Sequence, residues 1–316
     1  MNNKIYLTFT ILIGFSRVLF SQSSKDTCKT GIYLKSLYDF NSSAFSYDVD
    51  LWMWFHYNND SINPLKSIEI SNAKEYEYLN STIEKKRNII WASQNCKARI
   101  NQNWDLKHYP FDRQKLEIIL EESERDTNRL ILIADESEFE YNKEIDIKGW
   151  VVDSSTIKRG TTGYQSDFGD PSLNGRSGYS KIYYTIYLSR ESVSLFFKLF
   201  TGVYVAFLVS FLSLFIKPTY VDPRFGLSIG GLFAAVGNKY VVDANIPESI
   251  SFTLVDKIHD ITFLFILLSL LVSVISLKLY DNKSPEFSKR FDKVMSYSLF
   301  AVFTIVNIVM IYGANQ

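Results

Sequence analysis

Leu195-Phe-Phe-Lys-Leu-Phe-Thr-Gly-Val-Tyr-Val-Ala-Phe-Leu-Val-Ser-Phe-Leu-Ser-Leu-Phe-Ile216 is a run of apolar residues broken by a single charge, Lys198. A bilayer core of ~30 Å needs ~20 residues of α-helix at ~1.5 Å rise each, and this stretch is long enough. Three more such runs follow, at residues 225–242, 261–277 and 294–312, the shorter ones completed by flanking amphipathic residues. Upstream of about residue 195 the apolar residues alternate with polar ones in short stretches. The mean hydropathy of -0.03 therefore averages two solvents within one chain.

The connections between the four spans carry a sign. Lys217 and Arg224 flank the first, and Lys278, Lys283, Lys289, Arg290 and Lys293 surround the third, whereas the second holds Asp243, Glu248 and Asp256 against Lys257. By the positive-inside rule the first and third connections are cytoplasmic. The expectation is a multi-pass protein of the cell membrane, with its N-terminal domain and C-terminus extracytoplasmic. The first 24 residues have the layout of a secretory signal peptide, with Lys4 ahead of the apolar stretch 5–15 and small residues at Ser21, Ser23 and Ser24. The alternative is a fifth membrane helix, although Arg17 shortens its apolar core. The chain thus divides into residues 1–24, an exported domain at 25–192 and a four-span domain at 193–316.

The exported part reads as an all-β sandwich. Phe45, Tyr47, Val49, Leu51, Met53 and Phe55 share one strand face. The sets Leu116, Ile118, Leu120 and Ile182, Tyr184, Ile186, Leu188 repeat the pattern, and turn-forming residues separate the stretches. Cys28 and Cys96 both fall here, and their pairing is left open. The 34 basic residues balance the 34 acidic ones, which argues against nucleic acid as a partner. His56, His108 and His259 stand far apart beside no nucleophile, so no catalytic constellation, metal centre or cofactor site is expected, and an enzyme has no residue-level support. An acidic stretch with Asp135, Glu136, Glu138, Glu140, Glu144 and Asp146 reads as a solvated loop or, less simply, as oxygen ligands for a divalent cation.

The second span is the least lipid-like, with Arg224, Ser228, Asn238, Lys239 and several glycines. Steps of three and four residues place Asp222, Gly226, Gly230, Phe233, Gly237 and Tyr240 on one face. If copies of this helix surround an axis, Asp222 forms a carboxylate ring at the mouth and Phe233 an apolar constriction. The alternative is a packing face, since Gly226 and Gly230 also make a small-xxx-small motif.

The stretch Trp104-Asp-Leu-Lys-His-Tyr-Pro-Phe-Asp-Arg-Gln114 resembles the signature loop of the pentameric ligand-gated ion channels, with Pro110-Phe111-Asp112 its most specific part. Thr30-Gly-Ile-Tyr-Leu34, Gly149-Trp150, Ser189-Arg190 and Val242-Asp-Ala-Asn-Ile-Pro247 match in the same order. The cysteines that bracket the loop in animal receptors are absent; Gln102 and Leu116 stand there, as in prokaryotic members. The resemblance implies an immunoglobulin-like extracellular sandwich and a four-helix transmembrane bundle in a homopentamer embedded in lipid. Its second spans would line a pore for permeating ions, opened by a small extracellular ligand or by protons. It makes the six residues from Asp222 to Tyr240 pore-facing. Asp112 and Arg190 meet at the junction with Pro110 and Phe111, Asp243 and Pro247 receive the signal, and Asp39 replaces an acidic partner in the loop after the first strand. Around the ligand it implies Tyr164 and Phe168 of the 163–178 flap, Trp54 and Trp91 from the neighbouring subunit, and Arg125 of the 121–128 loop. Pro223-Arg224 resembles the anion-selective pattern and Asp222 the cation-selective one; the expectation is cation selectivity, with Arg224 turned from the lumen. The competing reading is a non-conducting membrane-bound sensor of the same fold.

Overall fold

The computed structural model describes residues 25–135, 140–141, 147–169, 177–247, 251–282 and 284–315. The segment read as a signal peptide, most of the acidic stretch and the flap residues 170–176 lie outside them.

Among the described residues, ten strands and a short helix make the first half: β1 (Asp26–Asn41), β2 (Ser46–Tyr57), α1 (Pro64–Ser67), β3 (Ile68–Ile70), β4 (Ala73–Lys86), β5 (Ile89–Asn101), β6 (Arg113–Glu122), β7 (Leu130–Ala134), β8 (Glu140–Tyr141), β9 (Trp150–Tyr164) and β10 (Ser177–Arg190). They form two sheets, ordered β4-β5-β2-β1-β7 with β8 beside β1, and β3-β6-β10-β9. Period-two alternation decides which side chains fill the space between them. Tyr47, Val49, Leu51, Met53 and Phe55 of the first sheet meet Leu116, Ile118, Leu120, Ile182, Tyr184, Ile186 and Leu188 of the second, all buried. Each such side chain contributes on the order of 1.5–3 kcal/mol by leaving water. Phe45 departs from the expected face. It sits in the β1–β2 turn at a φ of 49° and is exposed, because the turn reverses the chain before the alternation of β2 begins.

The two cysteines do not pair: both are free and buried. Cys96 of β5 lies opposite Leu51, which lies opposite Leu34 of β1, six residues along the strand from Cys28. At ~3.3 Å per residue that offset alone far exceeds the ~7 Å Cα separation a disulfide can bridge. Burial pushes both thiols up to about 12.

β10 ends at Arg190 and α2 (Ser192–Leu212) starts two residues later, prolonged by a 3-10 turn at Ser213–Phe215. There follow α3 (Val221–Asp243), α4 (Leu254–Asn282) and α5 (Pro285–Ala314). All four are long and apolar enough to cross a membrane. The chain is an all-β sandwich followed by a four-helix all-α bundle, the architecture of a multi-pass membrane protein. α4 outruns its apolar run at both ends; at its start Leu254, Val255 and Ile258 are buried in the same cluster as Leu106 and Tyr109 from the sandwich.

Candidate pore face and coupling junction

Pro223 is accommodated in the first turn of α3, where a backbone N–H has no helical partner, and Asp222 sits favourably at the positive end of the helix dipole. The buried residues of α3 are Arg224, Ser228, Gly231, Ala235 and Val242. At about 100° per residue they form one stripe, and the six expected residues form another roughly opposite it. Asp222, Gly226, Gly230, Phe233, Gly237 and Tyr240 are all exposed in the isolated protomer. A Cβ on Gly226, Gly230 or Gly237 would meet nothing within 4 Å, so these glycines do not serve packing inside the bundle. Gly231 does, since a Cβ there would stand 2.7 Å from the Ala206 carbonyl oxygen of α2.

The polar residues of α3 that a lipid-facing helix could not tolerate turn inward. Arg224 is fully buried and donates from Nη1 and Nη2 to the two Asp292 oxygens at 2.9 and 2.7 Å, with Nη1 also reaching the Ile216 carbonyl at 2.9 Å. Its turn away from the exposed stripe agrees with expectation; its partner, 68 residues on in α5, was not foreseen. The signal available was that ionisable groups at span ends tend to pair. Asn238 Oδ1 lies 3.1 Å from His259 Nε2 on α4, and its amide packs on Gly202 of α2. Lys239 donates to Asp243 and, at 2.6 Å, to Asp256.

At the junction, the loop between β5 and β6 leaves the sandwich and enters the helices. Leu106 and Tyr109 belong to the core of the bundle, Pro110 is buried, and the Phe111 and Phe196 rings stand 5.9 Å apart. The Leu254 N–H at the start of α4 donates to the Lys107 carbonyl at 3.0 Å. The neck of the loop is tied by Gln102, whose amide donates to the Lys115 carbonyl at 3.1 Å. Arg190, the last residue of β10, donates from Nε and Nη2 to the buried Asp112 carboxylate at 2.6 and 3.0 Å. Its guanidinium lies 4.0 Å from the centre of the Trp150 ring and 4.9 Å from that of Tyr109. Paired and sandwiched in this way, the charge fixes one strand end against the loop.

A cleft of about 600 Å³ lies at the junction, lined by the β1–β2 turn, the β5–β6 loop and the α3–α4 region, with Asp243 and Pro247 in its wall. Asp39 is not part of it. That residue sits in β1 at a φ of 51°, and its carboxylate lies 3.9 Å from Arg99 on the sandwich surface. The acidic group nearest the expected role is Asp256, which accepts from both the N–H and hydroxyl of Thr253 as well as from Lys239.

The expected ligand residues form two groups on different sheets. Trp54 and Trp91 line a groove of about 560 Å³ on the outer face of the first sheet, together with Trp52, Tyr33 and His56. Gly31 is opposite Trp54 and leaves room for its ring, which a Cβ would strike. Tyr164, Phe168 and Tyr179 cluster on the second sheet, with ring centres 5.5, 5.9 and 6.2 Å apart. Beneath them Lys181 pairs with Glu121 at 2.8 Å, and the Tyr164 hydroxyl donates to Glu121 at 2.8 Å. Burial and the bond to Glu121 raise the Tyr164 pKa; burial opposes the Lys181 ammonium, but its two bonds outweigh this and raise it. Tyr179, Lys181 and Glu121 were missed because only the β6–β10–β9 register brings them together. Arg125 instead binds the Ser61 carbonyl at 2.8 Å and Glu124 at 3.3 Å, closing a turn outside the aromatic cluster. The core separates the two aromatic groups, so one protomer cannot close both around a ligand.

Over this whole arrangement the chain has a relative. It is similar to a proton-gated ion channel of Gloeobacter violaceus. The two are 19% identical over 307 residues, which span 90% of this chain and 82% of the channel. The match runs through both the sandwich and the helices, and the protein it reaches is a channel, not an enzyme. No family profile matches the chain.

Proposed function

We infer that the chain is the subunit of a homopentameric ion channel, in which five copies of α3 surround a water-filled pore and a stimulus on the exported sandwich opens it. The observation that carries this is the division of α3 into two stripes. Arg224, Asn238 and Lys239 find partners on the neighbouring helices, while a face of glycine, aspartate and two aromatics is left uncovered. Such a face suits neither hydrocarbon nor the packing of its own bundle. Around an axis, Asp222 offers carboxylates to passing cations and Phe233 an apolar ring that closes by expelling water. The Arg224–Asp292 pair supports cation selectivity, because it keeps the guanidinium from the lumen.

In this reading the Asp112–Arg190 contact carries movement of β10 to the helices. Protons, or a small cation held between the Trp54 groove of one copy and the Tyr164 cluster of the next, supply the stimulus. The similar protein's proton gating supports trying acid first. Purified protein is reconstituted in a planar bilayer and challenged with pH steps, amines and divalent ions. Gated currents reversing near the potassium potential in a KCl gradient are expected, and Asp222→Ala shifts the reversal towards zero. No conductance under any of these stimuli would leave the non-conducting sensor as the better description.

A further inference from the structure

At the end of the bundle remote from the sandwich, a cleft of about 490 Å³ opens between the turn that follows α2 and the facing ends of α4 and α5. Its walls are of two kinds. Phe215, Leu214 and Pro218 make one side apolar, while Lys217, Lys289 and Lys293 surround the mouth with Tyr280 and Tyr297. The three lysines are exposed and form no ion pair among the described residues. The acidic residue lining the cleft, Asp292, is taken by Arg224, which binds both its oxygens. Asp281 and Glu286 belong to neighbouring turns but not to the lining. Cationic groups over an apolar wall, with tyrosines at the rim, form a surface that neither water nor hydrocarbon alone satisfies.

We propose that this cleft binds the headgroup of an anionic phospholipid, its phosphate held by Lys217, Lys289 and Lys293 and its acyl chains laid along the Phe215 side. The proposal rests on the reading of the four helices as membrane spans, which puts the cleft at the boundary between headgroups and acyl chains. Basic pockets between helices at that level recognise anionic lipid. The position gives the lipid a consequence for α3. Asp292 in the cleft wall is the anchor of Arg224, so a phosphate among the lysines lies next to the pair that fixes the start of α3 against α5. Occupancy by anionic lipid is then one of the loads on that helix.

The test uses the full-length chain, purified and delipidated in detergent, titrated with phosphatidylglycerol or phosphatidylcholine and read by native mass spectrometry. Phosphatidylglycerol is expected to be retained in preference to phosphatidylcholine. K217Q/K293Q lowers its affinity on the order of 30-fold, while K278Q/R290Q, which removes the same charge outside the cleft, leaves it within about twofold. Equal losses in both variants, equal retention of the two lipids, or displacement by millimolar inorganic phosphate would overturn the proposal. A second variant, Phe215→Trp in vesicles, places a fluorophore on the apolar wall. Its added emission is quenched more by brominated phosphatidylglycerol than by brominated phosphatidylcholine, and equal quenching counts against the site. Resistance of the chain to carbonate extraction from membranes reports the membrane reading separately.

Discussion

Replacing Asp292 by alanine strands a guanidinium in a place with no water. Arg224 is fully buried, two of its three contacts are the Asp292 oxygens, and its Nε has no partner among the described residues. After the change only the Ile216 carbonyl remains, and breaking a buried pair by removing one partner costs about 3–5 kcal/mol. For a chain of this size that is a fall in melting temperature on the order of 10 °C. Replacing both partners, as in R224M/D292L, leaves apolar groups of similar volume and is expected to return most of the loss, since such swaps are often neutral. The assay is a double-mutant cycle on detergent-purified protein, with the surviving oligomer measured by size exclusion after heating. D281A, a carboxylate at an exposed position nearby, serves as the reference. If D292A melts with D281A and the wild type, Arg224 is not held by this pair in the assembled protein. The lumen then becomes its place, and the argument for cation selectivity fails with it.

Further predictions follow from burial. Gly231→Ala drives a Cβ to 2.7 Å from backbone in α2 and is expected to cost about 1–3 kcal/mol, whereas Gly226→Ala and Gly230→Ala meet open space and cost nothing or gain up to about 1 kcal/mol of helix propensity; thermal melts of the three separate packing glycine from exposed glycine. The Glu122 carboxyl is raised by burial from its ordinary 4.5, against bonds from Ser67 and the N–H groups of Glu124 and Arg125. The folded state therefore holds this proton more tightly than the unfolded chain. Its contribution to stability is full below pH 4.5 and is lost as pH rises through the shifted value, and Glu122→Gln is expected to flatten that slope in urea unfolding followed by tryptophan fluorescence. Cys28 and Cys96, with thiols pushed up to about 12, stay unreactive to a maleimide at pH 8 in the folded protein and both label after denaturation. Labelling of either one in the folded state would contradict the burial described.

What could be read from sequence was what is periodic or covalently near. Val49, Leu51, Met53 and Phe55 announce a strand because a half-buried sheet imposes period two, and the four apolar runs announce spans because hydrocarbon tolerates little else. The exposed stripe of α3 was legible for the same reason, six residues at helical spacing. Phe45 was misplaced because alternation in sequence runs on through a residue that the turn takes out of the sheet. Asp39 failed as a junction residue because its neighbour Arg99 stands on β5, which only strand pairing brings beside it. Asp292, Glu121 and Lys181 escaped notice for a related reason, each depending on a partner tens of residues away or on sheet register. Charged pairs that join distant elements leave little local trace, and here they fix both the entrance of α3 and the base of the aromatic cluster.

The loop that carries Leu106 and Tyr109 into the helical core also bears on dissection of the protein. Cutting the chain after Arg190 would free a sandwich that still bears those two side chains, with the helices that cover them gone. The excised fragment would keep its own core yet present a greasy prong to solvent and lose the N–H of Leu254 from the Lys107 carbonyl. A soluble version of the sandwich therefore calls for polar replacements at positions 106 and 109, and truncation alone invites self-association through that tip.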